Sequence, residues 1–149
     1  MKRAALLVLL ACNSQSAPPS GGRVEIIAAP ATGDIAPYIA SEVSRGARDR
    51  VPVLVYVGAT WCEPCRDFHA AAMAGKLDAA LGPLRLVEYD LDRDESQLAA
   101  IGYTSKLVPL FARPAADGKA TGTQIEGVKK GRDYVEQLTP RVRSLLDTP

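Results

Sequence analysis

The sequence predicts an α/β domain, and three observations predict it. Strand-like and helix-like segments alternate from about residue 24 to the C-terminus. Asp117-Gly118 lies between the last two strand candidates, where it marks a hairpin turn. Within this stretch there is no repeat, no composition shift and no linker, so a single domain is expected.

The elements follow in order. Val24 to Ala29 reads as a first strand. Asp34 is a candidate cap for a helix running to about Arg48, with Ile35, Ile39 and Val43 at helical spacing. The run Val53-Leu54-Val55-Tyr56-Val57 is a second strand, and Arg66 to Leu81 is helix-like. Leu84 to Tyr89 reads as a strand and Glu95 to Ile101 as a short helix. Leu107 to Ala112 and Thr123 to Val128 form the hairpin. A last amphipathic helix runs from about Arg132 to Leu146. The order is β-α-β-α-β-α-β-β-α.

Between the second strand and the helix stands Trp61-Cys62-Glu63-Pro64-Cys65. Two cysteines two residues apart can close into a disulfide and reopen with little backbone movement. Their place at the opening of a helix puts Cys62 near unpaired N–H groups and the positive end of the dipole, which favour a thiolate. The thiolate is the attacking species in disulfide exchange. Pro64 suits the first turn, where its missing N–H costs nothing. Glu63 places a carboxylate beside Cys62 and opposes the dipole, which points to a reducing centre; a Glu63 directed into water would change little.

The Trp-Cys-x-Pro-Cys core after an apolar strand, together with Val108-Pro109-Leu110-Phe111 downstream, resembles the thioredoxin family. The resemblance covers roughly residues 34 to 147. It implies a thioredoxin-like fold, a central mixed sheet flanked by helices, and thiol–disulfide oxidoreductase activity without a cofactor. By the same resemblance Cys62 is the nucleophile and Cys65, more buried, resolves the mixed disulfide. Trp61 shields one side of the site. Pro109 is preceded by a cis bond and sits against the redox pair, and the backbone of Val108 pairs with the substrate. Trp61, Glu63, Pro64, Val108 and Pro109 are thus the substrate-binding candidates.

One position departs from the family. Thioredoxins carry a buried Asp on the strand before the motif, acting on the proton of the second cysteine, and that place falls on Tyr56. A phenol with a reference pKa near 10 is a poor base at neutral pH. His69, the sole histidine, follows Cys65 by four residues and shares its helix face, so it is a candidate proton relay; the alternative is a histidine satisfied on the helix surface.

The N-terminus reads separately. Met1-Lys2-Arg3 precedes the apolar run Ala4 to Ala11, too short to span a bilayer, for which about 20 residues are needed. Leu9-Leu10-Ala11-Cys12 resembles the lipobox of bacterial lipoproteins, with Leu10 where a small residue is usual. The resemblance implies a signal peptide at 1–11, lipidation of Cys12, and a Pro/Gly/Ser-rich tether to residue 23 before a domain at 24–149. It also accounts for an odd third cysteine. The alternative is an ordinary signal peptide.

The chain has 18 basic and 17 acidic residues, a formal charge of +1. Losing Lys2 and Arg3 would leave it near neutral, with no basic field for nucleic acid. The expected protein is a monomer in the bacterial cell envelope, lipid-anchored and facing the periplasm. Its expected partners are protein disulfides or thiols and a membrane electron donor. Reduction is the expected direction, as in envelope proteins that keep cytochrome c haem-binding cysteines reduced or repair mispaired disulfides. Three other readings stand beside it: a disulfide-forming oxidase, a copper or zinc module using Cys62, Cys65 and His69, and a redox-inert interaction domain. Asp90, Asp92, Asp94 and Glu95 are expected to be caps and solvated charge, and Tyr103 to be packing.

Overall fold

The strand Val53–Gly58 is apolar at every position because both of its faces are covered. Leu54 and Tyr56 face one layer of helices, while Val55 and Val57 face the other. The computed structural model of the chain describes residues 22–128, 131 and 133–148. The expected leader, Cys12 and tether up to residue 21 lie outside the described residues. Among these, no helix is long and apolar enough to cross a membrane.

Among the described residues five strands, β1 (Val24–Ala28), β2 (Val53–Gly58), β3 (Leu84–Asp90), β4 (Leu110–Pro114) and β5 (Ala120–Ile125), form one sheet in the order β1-β3-β2-β4-β5. β1, β3 and β2 run parallel, whereas β4 is antiparallel to β2 and β5 to β4. The helices are α1 (Ile35–Asp49), α2 (Glu63–Met73), α3 (Asp78–Leu81), α4 (Leu91–Ala100) and α5 (Tyr134–Asp147). α2, α3 and α5 cover one face through Phe68, Leu81, Leu138, Val142 and Leu145. α1 and α4 cover the other through Ile35, Ile39 and Leu98. The expected mixed sheet flanked by helices is therefore present.

Several boundaries differ from the sequence reading, each for a local reason. Asp34 occupies the N-cap position of α1, yet its side chain makes no capping bond. The expected single helix from Arg66 to Leu81 begins earlier, at Glu63, and breaks after Met73. Gly75, with φ of +71°, allows a Schellman ending: Lys76 N–H donates to the Ala71 carbonyl at 3.0 Å and Gly75 N–H to that of Ala72 at 2.9 Å. α3 then starts at Asp78, whose carboxylate accepts the Val24 N–H at 2.8 Å and ties this corner to β1.

α4 starts at Leu91 instead of Glu95, because Asp90 caps it by accepting the Arg93 N–H at 3.2 Å. Asp94 is not solvated as expected. It is buried, accepts the Asp90 N–H at 3.1 Å and pairs with Arg93 at 2.7 Å. The hairpin is also displaced. Pro109 has no N–H to give a ladder, so β4 starts after it, and Phe111 lies opposite Ile125. Asp117-Gly118 does form the turn, with Gly118 N–H donating to the Ala115 carbonyl at 3.0 Å. Tyr103 is packing: it is buried and its hydroxyl donates to the Gly118 carbonyl at 3.0 Å.

Candidate active site: a disulfide at a helix N-terminus

The chain leaves β2 at Gly58 and turns through Ala59-Thr60-Trp61 before α2 begins. Cys62 is the N-cap residue of α2, with φ −83° and ψ 106°, extended as a cap requires. Its own N–H donates to the Ala59 carbonyl at 3.1 Å. Its Sγ takes the role that a serine oxygen has in other caps, accepting the Cys65 N–H at 3.2 Å. Cys62 and Cys65 are joined by a disulfide with a Cα–Cα distance of 5.3 Å. Pro64 stands in the first turn, as expected, and Glu63 is exposed beside it.

Burial does not distinguish the two cysteines. Cys62 is 4 % exposed and Cys65 3 %, so the expectation that Cys65 is clearly the more buried needs correction. What distinguishes them is position. A thiolate on Cys62 would lie at the end of the helix, receiving an N–H bond and the dipole. The pair can therefore alternate between disulfide and dithiol, with negative charge favoured on Cys62.

One wall candidate immediately precedes Cys62 and the other comes from a distant part of the chain. Trp61 is 62 % exposed, and its indole Nε1–H donates to the Asp92 carboxylate at 3.0 and 3.2 Å. Val108 packs against the cluster of Ala59, Cys62 and Cys65. The Val108–Pro109 bond is cis and Pro109 is buried. Gly127 backs this wall: a Cβ there would come within 2.3 Å of the Val108 carbonyl oxygen. Gly127→Ala is therefore expected to displace Val108 and slow reduction of a protein disulfide severalfold while leaving the reaction with a small aromatic disulfide nearly unchanged. Equal rates on both substrates would show that the wall does not bind protein.

Tyr56, at the departing position, is buried between α2 and β4. Its hydroxyl donates to the Cys65 carbonyl at 3.0 Å. Burial first, and the neighbouring Glu88 carboxylate second, push the phenol well above its usual value. It is a fixed donor to the active-site helix and no base.

His69 lies on α2 one turn after Cys65, with Nε2 3.6 Å from a Glu88 carboxylate oxygen. In this oxidised form the imidazole faces Glu88, and the two sulfurs are bonded to each other. Among the described residues no three His, Cys, Asp or Glu side chains converge as metal ligands, so the copper or zinc reading has no assembled donor set here.

A poplar thioredoxin h has a similar structure, with a TM-score of 0.52 at 21 % identity over 86 % of this chain and all of that one. The fold is that of thioredoxin. Thioredoxin O1 from Arabidopsis thaliana, in its oxidised state, gives a TM-score of 0.50 at 18 % identity, covering 83 % of this chain and 96 % of that chain. No family model matches the sequence, and no curated protein does. On this thioredoxin fold Val108, which precedes the cis bond, packs against the cysteine pair although 46 positions separate it from Cys62 along the chain.

Sequence reasoning missed four residues around the site: Asp92, Glu88, Gly127 and the hydroxyl of Tyr56 as a helix anchor. From the sequence Asp92 is expected to be a cap or solvated charge. Only Tyr56 was marked by a sequence signal, and that signal concerned the acid it replaces.

Proposed function

We propose that the protein is an extracytoplasmic thiol–disulfide oxidoreductase that reduces protein disulfides through Cys62 and Cys65. The observation that carries this reading is the place of Cys62 Sγ, the N-cap of α2, accepting the Cys65 N–H at 3.2 Å. In the reduced protein Cys62 attacks a substrate disulfide to give a mixed disulfide. Cys65 then displaces the substrate and closes the Cys62–Cys65 bond. Val108 packs against the cysteines, and with Trp61, Pro109, Glu63 and Pro64 it serves as the substrate-facing surface.

The direction follows from the amount of thiolate stabilisation. Strong oxidants hold their reduced form with a deeply stabilised thiolate. Here the helix terminus stabilises the Cys62 thiolate, while Glu63 in the same first turn is exposed and opposes it only weakly through water, and no cationic side chain stands between the two cysteines to deepen the stabilisation. Localisation rests on the sequence: the basic start, the short apolar run and the lipobox-like Leu9-Leu10-Ala11-Cys12 support a lipid-anchored protein facing the periplasm, with an electron donor in the membrane.

The midpoint potential of the pair tests the direction. Equilibration of the full-length protein in redox buffers, followed by thiol labelling, is expected to give a value near about −270 mV or lower. A value approaching about −120 mV would make the protein an oxidant of envelope thiols.

A further inference from the structure

When Cys65 attacks the mixed disulfide on Cys62, its thiol must give up a proton, and burial opposes that loss. Cys65 is 3 % exposed, and the phenol nearest its backbone is a donor. The base has to come from elsewhere. A cavity of about 360 Å³ opens beside Cys65 at the C-terminal ends of β1, β3 and β2. Cys65, His69 and Glu88 all contribute to its wall. The β2–β3 register sets Glu88 opposite Tyr56, on the sheet face that α2 covers. From there its carboxylate reaches to 3.6 Å from His69 Nε2.

We propose that Glu88 accepts the Cys65 proton through water in this cavity, with His69 as the partner that positions its carboxylate. The proposal rests on the dithiol reading above. The cavity is polar on several sides and has room for roughly ten waters at liquid density, so a short water bridge fits. In the step, the Cys65 Sγ–H proton passes through water to Glu88. The Cys65 sulfur bonds to that of Cys62 as the bond between Cys62 and the substrate sulfur breaks. The substrate leaves as a thiolate and takes a proton from solvent. Two electrons pass from the dithiol to the substrate, and Glu88 returns its proton to solvent through the cavity.

The other titratable and charged groups facing the cavity are Tyr56 from β2, Arg66 and His69 from α2, Tyr89 and Asp90 from β3 and Arg93 from α4. Arg66 donates to the Thr60 carbonyl at 3.1 Å, and Arg93 is held by Asp94 at 2.7 and 2.8 Å. Asp90 caps α4. Arg66, Arg93 and Asp90 are thus committed to other partners, and the Tyr89 phenol, which burial pushes well above its usual value, is no base.

A chromogenic aromatic disulfide, mixed rapidly with the reduced full-length protein, separates the two steps. Attack by Cys62 releases a first aromatic thiolate, and resolution by Cys65 releases a second. Glu88→Gln is expected to leave the first release unchanged and to slow the second at least about tenfold near neutral pH, recovering as pH rises. His69→Gln is expected to slow the second release by a smaller factor. An intact first release certifies the fold of each variant. A second release at the wild-type rate in Glu88→Gln between about pH 6 and 9, or equal slowing of both releases, would overturn the relay. Absence of the first release in the wild-type protein would instead sink the dithiol reading.

Discussion

Cys62→Ser is expected to remove disulfide reduction by about 10⁴-fold or more, the scale of loss that follows deletion of a covalent nucleophile. A serine hydroxyl at the α2 N-cap keeps the local bond to the Cys65 N–H, so the fold survives while the thiolate does not. Cys65→Ser is expected to behave differently. It retains the first attack and stops at a mixed disulfide, visible as a stable mass adduct of Cys62 with the substrate. Both cysteines are buried to nearly the same degree, so accessibility does not assign these roles. The helix terminus does. An adduct that accumulates in Cys62→Ser and not in Cys65→Ser would reverse the assignment, and turnover retained in both variants would remove redox chemistry from the site.

Tyr56→Ala is expected to lower stability by about 3–5 kcal/mol, as large-to-small changes of buried aromatics do. The ring stacks on Phe111 at 5.0 Å and lies 6.0 Å from Phe68, while Phe68 and Phe111 meet edge-on at 4.8 Å. These three rings join β2, β4 and α2 in the core layer that α2 covers, and none of them is more than 1 % exposed. Tyr56→Phe keeps the ring and loses only the bond to the Cys65 carbonyl, so about 0.5–1.5 kcal/mol is expected. Urea unfolding of the two variants separates packing from hydrogen bonding. A Tyr56→Ala loss under about 1 kcal/mol would show that the rings do not brace the site, and equal losses would assign the effect to the hydroxyl.

Elements whose evidence is local were legible in the sequence. β2 announces itself as an unbroken apolar run, and the Asp117-Gly118 turn lies where the dipeptide places it. Pro64 and the cysteine spacing located the start of α2 to within a few residues. The break after α2 has a readable signal in Gly75, whose positive φ ends the helix. β4 and β5 were displaced by two or three residues because Pro109 cannot join a ladder, a constraint that strand propensity does not register.

The site divides in the same way. The sequence alone placed two cysteines at the mouth of a helix, a short-range pattern with its own chemistry, whereas the acid-to-tyrosine departure at Tyr56 and the interest of Val108-Pro109 follow only from the resemblance to thioredoxins. Which side chains surround them was decided by tertiary structure. Asp92 reaches the Trp61 indole across 31 positions, and Glu88 meets His69 only through the β2–β3 register and the packing of α2 on that face. A carboxylate in a charged stretch reads the same whether it caps a helix, fixes an indole or faces a buried thiol. Parallel strand pairing and helix docking choose among those roles, and they depend on residues too far apart in the chain for any local pattern to record.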